Sequence, residues 1–176
     1  MVLAEDVIHI YQQLMEKNIR VWLTGGWGID ALLGKQTRPH KDLDVIMLLD
    51  DVRRLCRLLE GCGYCLKELW SENKWEVGVG GNGIATAFVL HDSEGRELDA
   101  HAMRIDDHGN GIPAWNNPEG LIFTREDLNG EGAIKGLPVG CITAEMQVKC
   151  HTGYALPDYQ VSDMELLRVR FGLDNR

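Results

Sequence analysis

The sequence predicts an α+β fold: a mixed sheet with helices packed on one face and a helical C-terminal part. Three observations lead there. Val7, Ile10, Tyr11, Leu14 and Met15 recur at the spacing of an amphipathic helix over about 4–17. The middle of the chain carries short strand-type runs, with Asp92-Ser93-Glu94-Gly95 as a hairpin turn between two of them. After a last hairpin around Gly136, Thr143 is placed to N-cap a helix to about His151, and a final helix over about 158–171 stops at Gly172.

The elements follow in order. Val21-Trp22-Leu23-Thr24 is a short apolar strand, broken by Gly25-Gly26, and Trp27 to Leu33 reads as a short helix ended by Gly34. Lys35 to Lys41 is a polar connection containing Pro39. Asp42 to Leu49 is a second strand, and Asp50/Asp51 are placed to cap a helix through Leu59. Further strands are expected over Tyr64–Trp70, Trp75–Val79, Thr86–His91 and Arg96–Met103, and residues 105–120 read as an irregular surface loop. At 176 residues the chain suits one compact domain, with a catalytic core over about 1–104 and a hairpin and helices over about 105–176.

Composition removes several classes of function. A net charge of −9 argues against a nucleic-acid partner, because the phosphate backbone is a polyanion; a cationic small molecule would be attracted instead. No apolar run reaches membrane-spanning length, and Glu5 and Asp6 stand where a signal peptide would be basic, so a cytoplasmic protein without a membrane partner is expected. Five cysteines form no disulfide framework. Cys62-x-x-Cys65 lacks a second pair at ligand spacing, which favours buried free thiols over a zinc site.

The chemistry lies in three carboxylates and a glycine turn. Asp42-Leu43-Asp44 opens a strand, so both carboxylates share one face while Leu43, Val45 and Met47 point to the core. Like charges one strand step apart repel unless a cation holds them, and hard oxygen ligands suit Mg²⁺. In Arg96–Met103 the alternation puts Leu98, Ala100 and Ala102 on one face and Glu97, Asp99 and His101 on the other. If the two strands are neighbours, Asp99 becomes a third carboxylate, and two metal ions held by three carboxylates can bind a triphosphate. Gly25-Gly26 before a helix gives phosphate close access to free backbone N–H groups, with Thr24 or Trp27 as added contacts. Alone, an Asp-x-Asp pair describes a solvated strand face; the order and close spacing of these parts favour a triphosphate site.

Two rival nucleotide motifs fail. Gly26-Trp27-Gly28-Ile29-Asp30-Ala31 fits the dinucleotide pattern G-x-G-x-x-A, but its acidic partner should close the second strand, whereas Asp42 and Asp44 open it. A Walker loop fails because Gly28 to Gly34 has the wrong spacing and Gln36 stands where Ser or Thr is needed.

Gly25-Gly26-Trp27-Gly28-Ile29-Asp30 followed by Gly34-Lys35-Gln36-Thr37-Arg38-Pro39-His40-Lys41-Asp42-Leu43-Asp44 resembles the signature of the small antibiotic nucleotidyltransferases of the DNA polymerase β-like superfamily. That family includes lincosamide nucleotidyltransferases and aminoglycoside 2″-adenylyltransferases. The resemblance continues at Glu97-Leu98-Asp99-Ala100-His101, at Val139 to Glu145 and at His151-Thr152-Gly153-Tyr154; residues 70–85 and 104–130 match poorly. It implies a polymerase β-like fold, with Asp42, Asp44 and Asp99 holding Mg²⁺, Asp99 acting as base, and Gly25 and Gly26 meeting the triphosphate of ATP. The pattern at His101 and Tyr154 is similar to the lincosamide branch, which ranks lincosamides before aminoglycosides as acceptor of AMP.

Other residues have weaker claims. Arg38, His40 and Lys149 are candidate phosphate contacts, with solvated charge as the alternative. Glu97, His101 and Tyr154 are candidate substrate contacts. Asp30, inside the short helix, is expected to cap or pair structurally. Trp70, Trp75 and Trp115 are either acceptor-pocket walls or plain anchors. Competing functions are an enzyme of the same fold acting on another acceptor and a binding protein without catalysis; all three carboxylates are present, which counts against the latter. A homodimer stays open.

Overall fold

The computed structural model describes residues 1–77, 81–153 and 155–173. Helix α1 (Ala4–Glu16) buries Val7, Ile10, Tyr11 and Leu14, the expected stripe, and the Leu3 N–H donates to Asp6 Oδ2 at 2.8 Å to tie off its first turn. Strand β1 (Val21–Thr24) leads into helix α2 (Gly25–Leu33), and β2 (Asp42–Leu48) leads through a 3₁₀ turn into α3 (Val52–Gly61). Then come β3 (Cys65–Leu69), β4 (Trp75–Val77), β5 (Gly83–Ala85), β6 (Ala87–His91), β7 (Glu97–Ile105) and β8 (Gly111–Pro113). The hairpin β9 (Gly130–Ile134) and β10 (Leu137–Cys141) precedes α4 (Ala144–Cys150) and α5 (Asp158–Phe171).

One sheet runs β3-β6-β7-β2-β1-β10-β9, with β8 added beside β7, and β4–β5 form a separate ribbon. The pairs β2–β7 and β1–β10 are parallel and the rest antiparallel, so the sheet is mixed as expected. Parallel neighbours need a long connection, and between β2 and β7 this is supplied by α3 and four strands. The β9–β10 hairpin turns on Lys135 (φ 47°) and Gly136 (φ 84°), the mirror-image turn that matches strand twist, and brings the C-terminal segment into the same sheet as β1.

Strand alternation separates two cores. Val21, Leu23, Val45 and Met47 pack with the apolar faces of α1 and α3, while Trp22 and Ile46 point the other way, to Phe123, Leu128 and Met146. The helical C-terminal part is tied to α2 by Ile29, Ala144, Met164 and Leu167. Thr143 caps α4 as expected, its hydroxyl accepting from the Met146 N–H, and Gly172 ends α5 in the left-handed conformation.

Several local expectations are corrected. The two glycines do not precede α2 but form its first two positions, with Gly25 at φ +55° making the switch from strand to helix. Asp51 makes no cap hydrogen bond to α3; its carboxylate pairs with Arg54 instead. Strands β5 and β8 were outside the sequence reading, because three residues are too short to show alternation. Of the strand expected over Trp75–Val79, the end lies outside the described residues. Cys62 and Cys65 are exposed rather than buried, whereas the buried Cys141 thiol is pushed up to about 12 by desolvation. Among the described residues no helix is long and apolar enough to cross a membrane.

Helix α2 rests on β9 across a glycine. A Cβ at Gly132 would stand 2.5 Å from the Ala31 carbonyl carbon, so a side chain there must push α2 off the sheet. Gly132→Ala is expected to lower unfolding free energy by about 1–3 kcal/mol, the usual cost of overpacking, as read from urea denaturation.

Candidate active site

Strand β2 lies between β1 and β7, and its first residues face a cavity of about 990 Å³. The register pairs Asp44 with Asp99 and Asp42 with Glu97, so the expected neighbour relation of the two acidic strands is present. Asp42, Asp44 and Asp99 all line the cavity, as do Thr24, Gly25 and Gly26. Gly25 is required here: a Cβ at that position would overlap the Asp44 carboxylate, and one at Gly26 would overlap the His40 ring.

Electrostatics follow from this crowding. Burial, and then the charges of Asp42 and Asp99, hold the Asp44 carboxyl well above its usual range. Asp42 is also raised, first by burial and then by Asp99 and Glu97, against the opposing pull of Lys41. A set of hard oxygen donors that repel one another in register is chemically suited to a divalent cation. Among the described residues no three His, Cys, Asp or Glu groups stand closed on a point.

At the other end of the cavity Asp99 meets different neighbours. Trp70 Nε1–H donates to Asp99 Oδ1 at 2.9 Å, and His101 Nδ1 stands 3.3 Å from the same oxygen. His101 Nε2 faces Glu72 Oε1 at 3.1 Å, and the imidazole meets Trp115 edge-on at 5.0 Å between ring centroids. Burial alone would lower the His101 pKa, but the bonds to Asp99 and Glu72 outweigh it and push the imidazole up to about 9. The same bond from His101 draws Glu72 down to about 2.

The loop between α2 and β2 is fixed from two sides. Asp30, 2% exposed, pairs with His40 Nε2 and accepts the Thr37 N–H and hydroxyl, which makes it the structural residue expected. Arg38 lines the cavity, but its Nε and Nη2 donate to Asp163 Oδ2 at 3.0 and 2.8 Å, and its guanidinium lies over Tyr159.

A family model described as aminoglycoside-2″-adenylyltransferase matches residues 6–167. The chain belongs to this family. A lincosamide resistance protein of Staphylococcus haemolyticus is 29% identical over 168 residues, 95% of each chain. A 2″-aminoglycoside nucleotidyltransferase of Escherichia coli is 53% identical, but over 30 residues, 17% of each chain. Among solved structures, the lincomycin-bound lincosamide antibiotic adenylyltransferase LnuA is 28% identical with a TM-score of 0.76, covering 95% of this chain and 97% of that one. ANT(2″)-Ia in complex with adenylyl-2″-tobramycin gives a TM-score of 0.72 at 22% identity, covering 96% and 89%, a likeness of fold. The nucleotidyltransferase fold of the polymerase β-like type, implied by the sequence resemblance, is the fold observed.

Other members of the expected site lie elsewhere. Trp27 is 1% exposed and packs on the His40 ring at 4.8 Å instead of facing the cavity. Thr24 lines the cavity, but its hydroxyl donates to Gln147 Oε1 at 3.2 Å. Glu97 does not line the cavity; its carboxylate pairs with the ammonium groups of Lys41 and Lys67 instead. Lys149 is exposed on α4 beyond the lining, and Tyr154 lies outside the described residues. Of the three tryptophans, Trp70 and Trp115 line the cavity, whereas Trp75 is 62% exposed over the hollow between α3 and β3. Glu72 and Asp163 were missed: each sits in a polar or mixed stretch with no period to mark it.

The crowded carboxylates yield a sign-specific expectation for metal-free protein. Asp44 has a folded pKa above the ordinary 3.8, so its ionised form destabilises the fold at pH above that raised value, and the penalty disappears as pH falls towards 3.8. Asp44→Asn in EDTA should therefore raise Tm at pH 8, with the gain shrinking as the pH approaches 4 in differential scanning calorimetry. A lower Tm at pH 8 would contradict the assigned repulsion.

Proposed function

We propose that the protein transfers AMP from ATP to a hydroxyl of a small-molecule antibiotic, a lincosamide in the first place, with release of pyrophosphate. The observation that carries this reading is the row of Asp42, Asp44 and Asp99 on paired strands, facing the Gly25–Gly26 turn in one cavity. The triphosphate lies over that turn, where backbone N–H groups at the α2 N-terminus meet phosphate oxygens. Asp42 and Asp44, with Asp99, would hold Mg²⁺, which when bound neutralises phosphate charge and polarises the phosphorus under attack. Asp99 takes the proton of the acceptor hydroxyl; that oxygen bonds to the α-phosphorus as the bond to pyrophosphate breaks in line. His101, held between Asp99 and Glu72, stands beside the base.

The choice of acceptor rests on the extent of similarity. The lincosamide resistance protein aligns along nearly the whole chain, whereas the aminoglycoside enzyme of Escherichia coli aligns over a short stretch. An aminoglycoside acceptor is the second reading, favoured by the description of the family model.

Incubation with ATP, Mg²⁺ and either lincomycin or tobramycin decides between them by mass spectrometry. An AMP adduct is expected on lincomycin, lost in EDTA; an adduct on tobramycin alone would reverse the order of acceptors. Asp42→Asn and Asp99→Asn should each cut pyrophosphate release by at least about a hundredfold, the loss typical of an essential proton-transfer group. Calorimetry of Mg–ATP should show affinity reduced more by Asp42→Asn than by Asp99→Asn, because Asp42 belongs to the triphosphate end. Near wild-type turnover of either variant would remove that residue from the mechanism.

A further inference from the structure

Two stretches that match the family signature poorly, 70–85 and 104–130, each send side chains to the same part of the cavity. From the first come Trp70 and Glu72; from the second come Trp115, Leu121 and Phe123. The connection from β3 to β4 is clamped in place. Asn73 Oδ1 accepts the N–H groups of Thr86 and Ala87 at 2.8 and 3.2 Å, and the fully buried Thr86 hydroxyl accepts the Lys74 N–H and donates to its carbonyl. The Glu72 carbonyl accepts the Asn116 N–H at 2.7 Å, which joins the two stretches to each other. A loop fixed at this many points presents its side chains in set positions.

What it presents is an aromatic wall with one carboxylate. Trp70 keeps 39% of its surface open although its N–H is bound to Asp99. Trp115 stands edge-on to His101 and to Phe123, at 5.0 and 6.3 Å. Beyond the three aspartates, the cavity carboxylates already have side-chain partners: Glu72 faces His101 Nε2, and Asp163 accepts from Arg38. An apolar arm of an acceptor would find Trp surface next to the base.

We infer that the 70–74 connection, with Trp115 opposite, is the acceptor-selecting element, and that its aromatic surface takes an apolar arm of the acceptor beside the hydroxyl that Asp99 deprotonates. The inference rests on the transfer reading above and names which residues choose the acceptor. Trp70 is a positioning residue: its N–H holds Asp99 Oδ1, so the base presents a fixed edge to the hydroxyl. Glu72 lines the cavity from the same connection and meets a polar group of the acceptor, and Trp115 covers the apolar arm.

Steady-state kinetics separate this from a structural role. With lincomycin as acceptor, Glu72→Gln and Trp115→Leu should each raise its KM by roughly tenfold, while KM for ATP stays within about twofold. Trp70→Phe, which keeps the ring and removes the N–H, should instead lower kcat by about tenfold with both KM values little changed. Quenching of tryptophan fluorescence by lincomycin, in Mg²⁺ and a non-hydrolysable ATP analogue, should weaken in Glu72→Gln; circular dichroism checks that each variant is folded. Equal shifts in both KM values, no shift in either, or higher kcat/KM for tobramycin than for lincomycin would overturn the inference. Absence of lincomycin binding would overturn it too, and Mg–ATP binding with transfer to another acceptor would then show that the nucleotidyl-transfer reading stands by itself.

Discussion

The parallel pairing of β2 with β7 is the constraint on which the rest of this structure depends. It sets Asp44 directly beside Asp99 and, one strand step earlier, Asp42 beside Glu97. Such a row is costly to assemble without a cation, because burial and mutual repulsion both oppose ionisation. The fold supports it from behind: Leu43, Val45, Leu98 and Ala100 are almost wholly buried on the opposite face. The apolar face fixes the register, and the register fixes the carboxylates, since a slip of one residue would send all of them into the core.

The cavity above this row has two ends of different origin. The end with the glycine turn is made by a continuous local segment: β1, the turn itself, the loop held by Asp30 and His40, and the start of β2. Backbone geometry dominates there, because a Cβ at Gly25 or Gly26 would overlap the Asp44 carboxylate or the His40 ring. The other end is assembled from distant pieces: Trp70 and Glu72 before β4, His101 on β7 and Trp115 beyond β8. Aromatic surface and one ion pair dominate there. An enzyme family that keeps one nucleotide chemistry while varying its acceptor is free to change the second end without disturbing the first.

The loop between α2 and β2 links both ends to the helical C-terminal part. Arg38 reaches across to Asp163 and Tyr159 of α5, and the buried Asp163 has this guanidinium as its partner. Helix α5 has apolar residues on several sides, and Met164 and Leu167 form the side that packs towards α2. Its placement therefore depends on contacts made by residues more than a hundred positions away.

By itself the sequence determined the class of the fold, the helices at its two ends, the hairpin at Gly136 and the strand faces. These depend on period, caps and turn chemistry, which are local. It also marked Asp42, Asp44, Asp99, Gly25 and Gly26, because alternation aims both acidic strands and glycine signals close backbone approach. Only the tertiary structure decided that β7 lies next to β2, since strand order is not written in either strand. It likewise decided that Trp27 belongs to the core, that Arg38 is held by Asp163, and that Glu97 turns to Lys41 and Lys67. Glu72 carried no local signal at all: its place comes from the Asn73–Thr86 clamp and from His101, a partner 29 residues along the chain. Side-chain direction at a strand is a two-way choice that pattern can settle, whereas partners across a cavity are chosen by packing of the whole chain.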